Sequence, residues 1–250
     1  MQAYLTLVRR ELGTFLFSLN GYVVIAVVAL MLGLSFTEML AALNASPTEE
    51  PLTELFYRTM FFWLVVLVAT PVITMRSFAL EKSSGTFETL MTAPVGDSQV
   101  VLAKFTGSMI FYFLMWTPLL VCLGMLRHYA SEPFALQPMR TLTSFAGILL
   151  VGCLYVSMGI FASALTRSQV VAAMSSFAMG TAFFIASFFA LTAPAKSGWW
   201  SQLFQHVSMI EHMQDFSRGF LDTRQILFYL SLTVWFLFMA VKAVESRRWR

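Results

Sequence analysis

Residues 56–80 have the sequence FYRTMFFWLVVLVATPVITMRSFAL, a run whose only charged side chains are Arg58 and Arg76. An α-helix needs about 20 mostly apolar residues to cross the roughly 30 Å of hydrocarbon in a bilayer. The stretch is long enough and apolar enough to do so. It therefore predicts a membrane-spanning helix.

The composition of the whole chain is that of a membrane protein. Of its 250 residues, 58% are hydrophobic and 12% are charged, and the mean hydropathy is +0.74, whereas soluble domains have about 25% charged residues. Further apolar runs of spanning length lie at 20–43, 103–126, 141–165, 170–193 and 225–244. We expect an all-α integral membrane protein with six transmembrane helices, forming a single domain over residues 1–250.

Lysine and arginine are distributed unevenly between the alternate connections of these spans. One side has ten of them, and the other has five, with Arg58 as a sixth near the end of its helix. Because basic residues are enriched in cytoplasmic connections, this pattern predicts that both termini are cytoplasmic. The fourth and fifth spans are separated by only TRSQ, residues 166–169, which predicts a tight antiparallel turn.

Two of the spans contain a proline, Pro71 in the second and Pro118 in the third. Each proline removes one backbone hydrogen bond and is expected to bend its helix. The neighbouring hydroxyls of Thr70 and Thr117 could satisfy the freed carbonyl groups.

Residues 1–19 precede the first span and have amphipathic helical spacing. Arg9, Arg10 and Glu11 lie away from the apolar positions. The apolar face consists of Tyr4, Leu7, Val8, Leu12, Phe15 and Leu19. This pattern favours a helix lying in the membrane interface, and the alternative is a plain extension of the first span.

Several chemical classes lack support in the sequence. There is no phosphate loop, dinucleotide-binding motif or zinc-protease motif, so we expect no enzymatic activity and no cofactor in this chain. The histidines fall in outer connections, and no nucleophile and base pair is suggested at membrane depth. Cys122 and Cys153 lie in apolar segments, where we expect them to pack as small hydrophobic side chains.

Residues 81–94, EKSSGTFETLMTAP, form a polar loop between the second and third spans. Thr86 can cap a short helix with Phe87, Leu90 and Met91 on one face, and Gly85 allows the chain to change direction before it. Asp97 is expected to cap the helix of the third span. A short amphipathic helix suits a groove on a partner protein, and the alternative is an ordinary interfacial turn.

This loop, followed by LAKF at 102–105, closely resembles the cytoplasmic loop of ABC-2 type transporter permeases, which has the pattern Glu-Lys/Arg-x-x-Gly-Thr-x-Glu-x-Leu, Thr-Ala-Pro and Gly/Ala-Lys-Phe. The resemblance implies that the short helix is a coupling helix in a groove of a separate cytoplasmic ATPase. The residues implied to contact that ATPase are Glu81, Gly85, Thr86, Phe87, Glu88, Leu90 and Met91.

Residues 208–249 resemble the permease subgroup of gliding-motility and nitrous-oxide-reductase maturation systems. That subgroup often has Ser-Pro where this chain has Ser208-Met209. The resemblance suggests short re-entrant helices within residues 194–224, forming part of an exit gate. The spacing there predicts a helix whose apolar side contains Leu203, Val207, Ile210, Met213 and Phe220.

Two sets of residues are weaker candidates for function. His206, Met209 and Met213 share a helical face and have copper-binding side chains, but we expect no metal because such residues usually pack. Arg58, Glu38 and Glu211 are candidates for a gate or substrate path. Arg58 and Glu38 lie near the outer ends of their spans, where snorkelling or mutual contact would limit the cost of charge in the bilayer.

The resemblance implies a permease subunit of an ABC exporter in a bacterial inner membrane. It implies cytoplasmic ABC ATPase subunits that bind ATP and magnesium, and a second permease, either an identical copy or a related chain. A periplasmic accessory protein is a further candidate partner, and no nucleic acid is expected. The alternative is a secondary transporter or channel without an ATPase, for which ionisable groups near the midplane would be expected.

Overall fold

The structure, a computed structural model, describes residues 2–45, 54, 56–57, 59–88, 95–129, 138–192 and 206–246. Its regular elements within these ranges are helices, without strands. The principal helices, in chain order, are α1 (Gln2–Leu16), α2 (Leu19–Ala45), α3 (Met60–Thr74), α4 (Ala79–Ser84), α5 (Asp97–Met115), α6 (Thr117–Tyr129), α7 (Pro138–Leu165), α8 (Gln169–Thr192), α9 (Met209–Arg218) and α10 (Thr223–Glu245).

Six stretches of the described residues are long and apolar enough to cross a membrane, as the sequence predicted. They are Leu19–Ala41, Met60–Ser84, Asp97–Met125, Pro138–Leu165, Gln169–Phe189 and Thr223–Glu245. The third begins six residues earlier than expected, and its N-cap residue is Gly96, which has no side chain to donate or accept a hydrogen bond, rather than Asp97. Asp97 instead occupies the first turn, where a carboxylate is favoured by the helix dipole.

Helix α7 is the centre of the bundle. It packs against α3, α5, α8, α9 and α10, and 72% of its most apolar stretch is buried, against 22% for the stretches in α2, α8 and α10. Small residues allow this close approach, because in lipid the association of helices depends on tight packing. Gly147 faces Phe216 of α9, Gly152 faces Tyr112 of α5, and Gly159 faces Thr74 of α3.

The two prolines behave differently from each other. The hydroxyl of Thr117 donates to the carbonyl of Leu114, at 2.7 Å, which is the group freed by Pro118, as the sequence predicted. The helix is interrupted there at Trp116, which separates α5 from α6. The prediction for Thr70 is wrong, because its hydroxyl bonds to Val66 O, at 2.6 Å, one residue before the carbonyl that Pro71 frees.

Helix α1 is a separate element rather than an extension of α2. It ends at Leu16, and a turn at residues 17–18 precedes α2. It packs along α5, where the hydroxyl groups of Tyr4 and Thr106 lie 2.7 Å apart and the rings of Phe15 and Phe111 stack at 4.8 Å. The first helix is therefore packed against the third span, in addition to being connected through the chain to the first span.

Because the spans alternate in direction, the connections collect at two ends of the bundle. We call the end that contains residues 75–88 the loop end, and the opposite end, which contains α9, the α9 end. Helix α7 joins the two, since it begins at the α9 end and finishes at Leu165 beside residues 75–82. The turn from α7 to α8 spans residues 166–168, which confirms the predicted tight connection.

The packing of α7 predicts different outcomes for two helical glycines. A Cβ at Gly152 would lie 2.2 Å from the ring of Tyr112, which is fully buried, whereas a Cβ at Gly33 meets nothing within 4 Å. We expect Gly152→Ala to destabilise the protein by about 1–3 kcal/mol through overpacking. Gly33→Ala should leave the thermal unfolding of the detergent-solubilised protein unchanged. Equal unfolding temperatures for both variants would contradict this packing.

Candidate functional site

The segment that follows α3, residues 75–88, forms the loop end. Residues 75–78 make a turn, α4 follows at Ala79–Ser84, and residues 86–88 are again helical. Thr86 is the first residue of that second helical piece rather than the residue before it. Its hydroxyl lies 2.9 Å from Ser84 Oγ, so it bonds back toward α4.

Gly85 separates these two helical pieces and has the conformation that the sequence predicted. Its φ of 75° is in the left-handed region, which side chains penalise. A Cβ at this position would meet nothing within 4 Å. The requirement for glycine is therefore set by the backbone and not by crowding.

Lys104 holds the loop to two other parts of the chain. Its ammonium group lies 2.8 Å from Glu11 Oε1 of α1 and 2.8 Å from Glu81 Oε1 of α4. The side chain of Lys104 is 3% exposed, and those of Glu11 and Glu81 are 13% and 12% exposed. We call these three residues the lysine junction. It joins α1, α4 and α5 through one buried charge.

The C-terminal end of α7 supports the other side of the loop. The hydroxyl of Ser163 accepts hydrogen bonds from the backbone N–H groups of Phe78 and Ala79, both at 3.0 Å, and donates to Met75 O at 3.2 Å. The buried ammonium group of Lys82 donates to Ala164 O. The base of the loop is thus bonded to α7 as well as to the lysine junction.

The residues implied to contact an ATPase fall into two groups. Thr86 and Glu88 are exposed at the tip, and Phe87 is half-buried, with its ring centroid 5.2 Å from Lys82 Nζ. Glu81 faces Lys104 rather than the surface. Leu90 and Met91 lie outside the described residues.

Reasoning from sequence missed the lysine junction, although a signal was present. Lys104 falls inside the predicted span 103–126, where an unpaired charge would be costly. A search for its counter-ions would have pointed to carboxylates at the same end of the bundle. Glu11 was instead expected to lie away from the packed face of the first helix, and Ser163 was indistinguishable from the other small residues of its span.

The α9 end contains the predicted outer helix, with a different buried face from the one expected. Ser208 caps α9 by accepting a hydrogen bond from Glu211 N, so no proline is needed there. The buried residues are Met209, His212, Met213, Phe216 and Ser217. Phe220 is 69% exposed because Gly219, with a φ of 92°, ends the helix before it. Leu203 lies outside the described residues.

The three candidate copper ligands lie in unlike surroundings. His206 is exposed, whereas Met209 and Met213 are fully buried, and Met209 Sδ lies 3.7 Å from the hydroxyl oxygen of Tyr155. The methionines are therefore occupied in packing. Among the described residues, no group of three histidine, cysteine or carboxylate side chains could hold a metal.

The neighbouring His212 is buried and lies beside Tyr229. Its Nδ1 lies 3.3 Å from the hydroxyl of Tyr229, and burial lowers its pKa to about 4. Nearby, Arg218 forms a bidentate salt bridge with Glu54, in which Nη2 donates to Oε1 at 2.9 Å and Nε donates to Oε2 at 3.1 Å. This pair joins α9 to the chain just before α3.

The remaining candidates for a gate or substrate path are not brought together by the described residues. Glu38 is exposed on α2. Glu211 lies in the first turn of α9, where its pKa is raised by burial and by the nearby Asp215. Arg58 lies outside the described residues, so the predicted contact with Glu38 stays a prediction.

Six apolar helices and a polar, internally bonded loop define a multi-pass membrane protein. The model of a family described as ABC-2 family transporter protein matches residues 41–242. Because this match covers most of the chain, the protein belongs to the ABC-2 family and is a membrane permease of an ABC transporter. No curated protein sequence matches the chain.

The lysine junction predicts a large effect of removing its cation. Lys104→Met would leave two carboxylates buried without a partner, which we expect to cost about 3–5 kcal/mol of stability. Adding Glu11→Gln and Glu81→Gln to this variant should restore most of the loss, because no uncompensated charge remains. The measurement is thermal unfolding of the purified protein.

The matched control is Lys242→Met, because Lys242 is 56% exposed and pairs with Glu245 one turn away. An exposed pair of this kind contributes about 0.3–0.5 kcal/mol. If Lys104→Met were no more damaging than Lys242→Met, the junction would not hold the loop in the way described.

Proposed function

We propose that this permease is driven by a separate cytoplasmic ABC ATPase, which binds ATP and magnesium and engages residues 81–94 as a coupling helix. The observation that carries this proposal is the contrast within the loop. Its tip at Thr86 and Glu88 is exposed, while its base is bonded to α1, α5 and α7. A surface of this kind can receive a force and pass it to the bundle.

Force on the tip would reach three helices through named contacts. Glu81 transfers it to Lys104 of α5 and, through the same ammonium group, to Glu11 of α1. Ser163 transfers it to α7, which packs against most of the other spans. In this mechanism Glu81 positions the loop from inside, and Thr86, Phe87 and Glu88, with Leu90 and Met91, meet the ATPase.

The proposed placement in the bilayer puts the loop end and both termini in the cytoplasm of a bacterial inner membrane. The excess of lysine and arginine at this end supports that orientation. Helix α1 would lie in the interface, because it is separate from α2 and packs beside α5. A permease of this type would act as a pair, with an identical copy or a related chain.

We propose that α9 is re-entrant and forms part of the exit gate. The backbone N–H of its first residue, Met209, donates to Ser187 Oγ at 3.0 Å, and Ser187 lies five residues, about 7 Å, before the end of α8. The Sδ atom of Met209 lies 3.7 Å from the hydroxyl of Tyr155 in α7. The same Tyr155 hydroxyl donates to Gly180 O in α8. The start of α9 therefore lies inside the end of α8 rather than beyond it.

The proposed direction is export, and an apolar groove supports an apolar or lipid-like cargo. The groove has a volume of about 590 Å³ and lies between α3, α8 and α9. Its lining includes Trp63, Leu67, Phe184 and Ile210, with Gln214 as a polar member.

Membership of the gliding-motility and nitrous-oxide-reductase maturation subgroup is also part of the proposed function. It rests on the resemblance of residues 208–249 to that subgroup.

The alternative, a secondary transporter or channel without an ATPase, has less support. Ion-coupled transporters place ionisable side chains near the middle of the bilayer. Within the described part of the chain, the salt bridges lie at the two ends, at Lys104, Arg218 and Lys242. The family also favours a permease with ATPase partners.

Substitutions at Gly85 test whether the loop geometry is needed for coupling. Gly85→Asn should retain transport-coupled ATP hydrolysis, because asparagine tolerates the left-handed region, whereas Gly85→Val should lose most of it. Gly85→Pro should do the same, because the φ of proline is fixed near −65°. The measurement is ATP hydrolysis by the purified complex, with membrane insertion checked for each variant. Normal coupling in Gly85→Val would contradict the proposal.

The exposed tip predicts a specific binding defect. Glu88→Lys should reduce co-purification of the co-expressed ATPase, because it reverses a charge at the proposed contact without touching the base of the loop. Glu38→Lys is the control, since Glu38 is also an exposed carboxylate but belongs to the α9 end of the bundle. Equal recovery of ATPase with the two variants would place the contact elsewhere.

A further inference from the structure

A pocket with several charged side chains in its lining is present at the loop end, between α1, the start of α2 and the loop. It has a volume of about 200 Å³, and three cationic side chains, Arg10, Arg76 and Lys104, line it with two carboxylates, Glu11 and Glu81. Because Lys104 pairs with both carboxylates, the two arginines leave the pocket with an excess of one positive charge.

Two residues that line this pocket each have a buried polar atom without a hydrogen-bond partner among the described residues. These atoms are Nε of Arg76, a donor, and Oε2 of Glu81, an acceptor. Buried polar groups are normally satisfied, so a missing partner indicates a site for water, an ion or a ligand. A ligand that fills both positions needs an acceptor for Arg76 and a hydroxyl or similar donor for Glu81.

An apolar groove continues from the pocket along α2 and α3. It has a volume of about 220 Å³, is lined only by apolar side chains, and shares Val24 and Val72 with the pocket. On α3 it extends from Val72 to Leu64, which is about 12 Å of helix. A free anion would occupy the pocket alone, whereas a phospholipid would fill the pocket with its headgroup and the groove with an acyl chain.

We propose that this pocket and groove bind one anionic phospholipid, whose phosphate is held by Arg10 and Arg76. A hydroxyl of a headgroup such as glycerol donates to Glu81 Oε2. Basic pockets between membrane helices at the cytoplasmic side are suited to anionic headgroups. The bound lipid connects α1, α2 and the loop, and it therefore belongs to the surface on which the proposed coupling acts.

The test is native mass spectrometry of the full-length protein in detergent, titrated with phosphatidylglycerol and, separately, with phosphatidylcholine. We expect one tightly bound phosphatidylglycerol per chain and weaker binding of phosphatidylcholine. Arg10→Gln and Arg76→Gln should each weaken phosphatidylglycerol binding roughly fivefold, and the double variant about 30-fold. Val27→Trp should also weaken it, because Val27 lines the groove and is accessible.

The matched control is Arg9→Gln, because Arg9 is exposed on the same helix and does not line the pocket. Its binding of phosphatidylglycerol should equal that of the unchanged protein. Equal binding by the double variant and the control would overturn the proposal, as would equal affinity for the two lipids. Displacement of the lipid by millimolar inorganic phosphate would assign the pocket to a free anion. If the double variant Arg10→Gln/Arg76→Gln still bound the lipid and only Val27→Trp lost it, the arginines would have no role in binding. That result would also overturn the proposal, because the site would then be an apolar groove alone.

Discussion

The structure depends on the buried ammonium group of Lys104, whose charge would be costly in an apolar bundle without two carboxylates beside it. Lys104 is 3% exposed, and its ammonium group is satisfied by Glu11 from the first helix and Glu81 from the loop. Separating either carboxylate from it would expose a buried charge to an apolar environment at a cost of several kcal/mol. The first helix, the loop and the third span therefore have to keep their relative positions.

This constraint is linked to the rest of the bundle by α7. At the loop end, the hydroxyl of Ser163 accepts hydrogen bonds from the backbone N–H groups of Phe78 and Ala79. At the other end, the hydroxyl of Thr143 donates to Phe216 O of α9, at 2.7 Å. The glycines of α7 bring it close to α3, α5 and α9. One helix thus contacts both the proposed receiver of force and the proposed gate.

The sequence was sufficient for the number and order of the spans, because the length and apolar composition of a span are local properties. The left-handed Gly85 and the bond from Thr117 to the carbonyl freed by Pro118 also follow from local backbone chemistry. Pairings between distant residues did not follow. Glu11 and Lys104 are 93 positions apart, and nothing in helical spacing indicates which carboxylate turns inward. The buried face of α9 was misjudged because its C-terminal end is set by Gly219, so that Phe220 leaves the helix.

The central claim is that the loop and α1 move as one unit because the lysine junction holds them together. It is tested most directly by electron paramagnetic resonance distances between spin labels at Leu5 and Ser83, both exposed, in the assembled transporter with and without a non-hydrolysable ATP analogue. The account predicts one narrow distance distribution that is the same in both states, and a broad distribution when Lys104 is changed to methionine. A distance that shifts with nucleotide in the unchanged protein would contradict it.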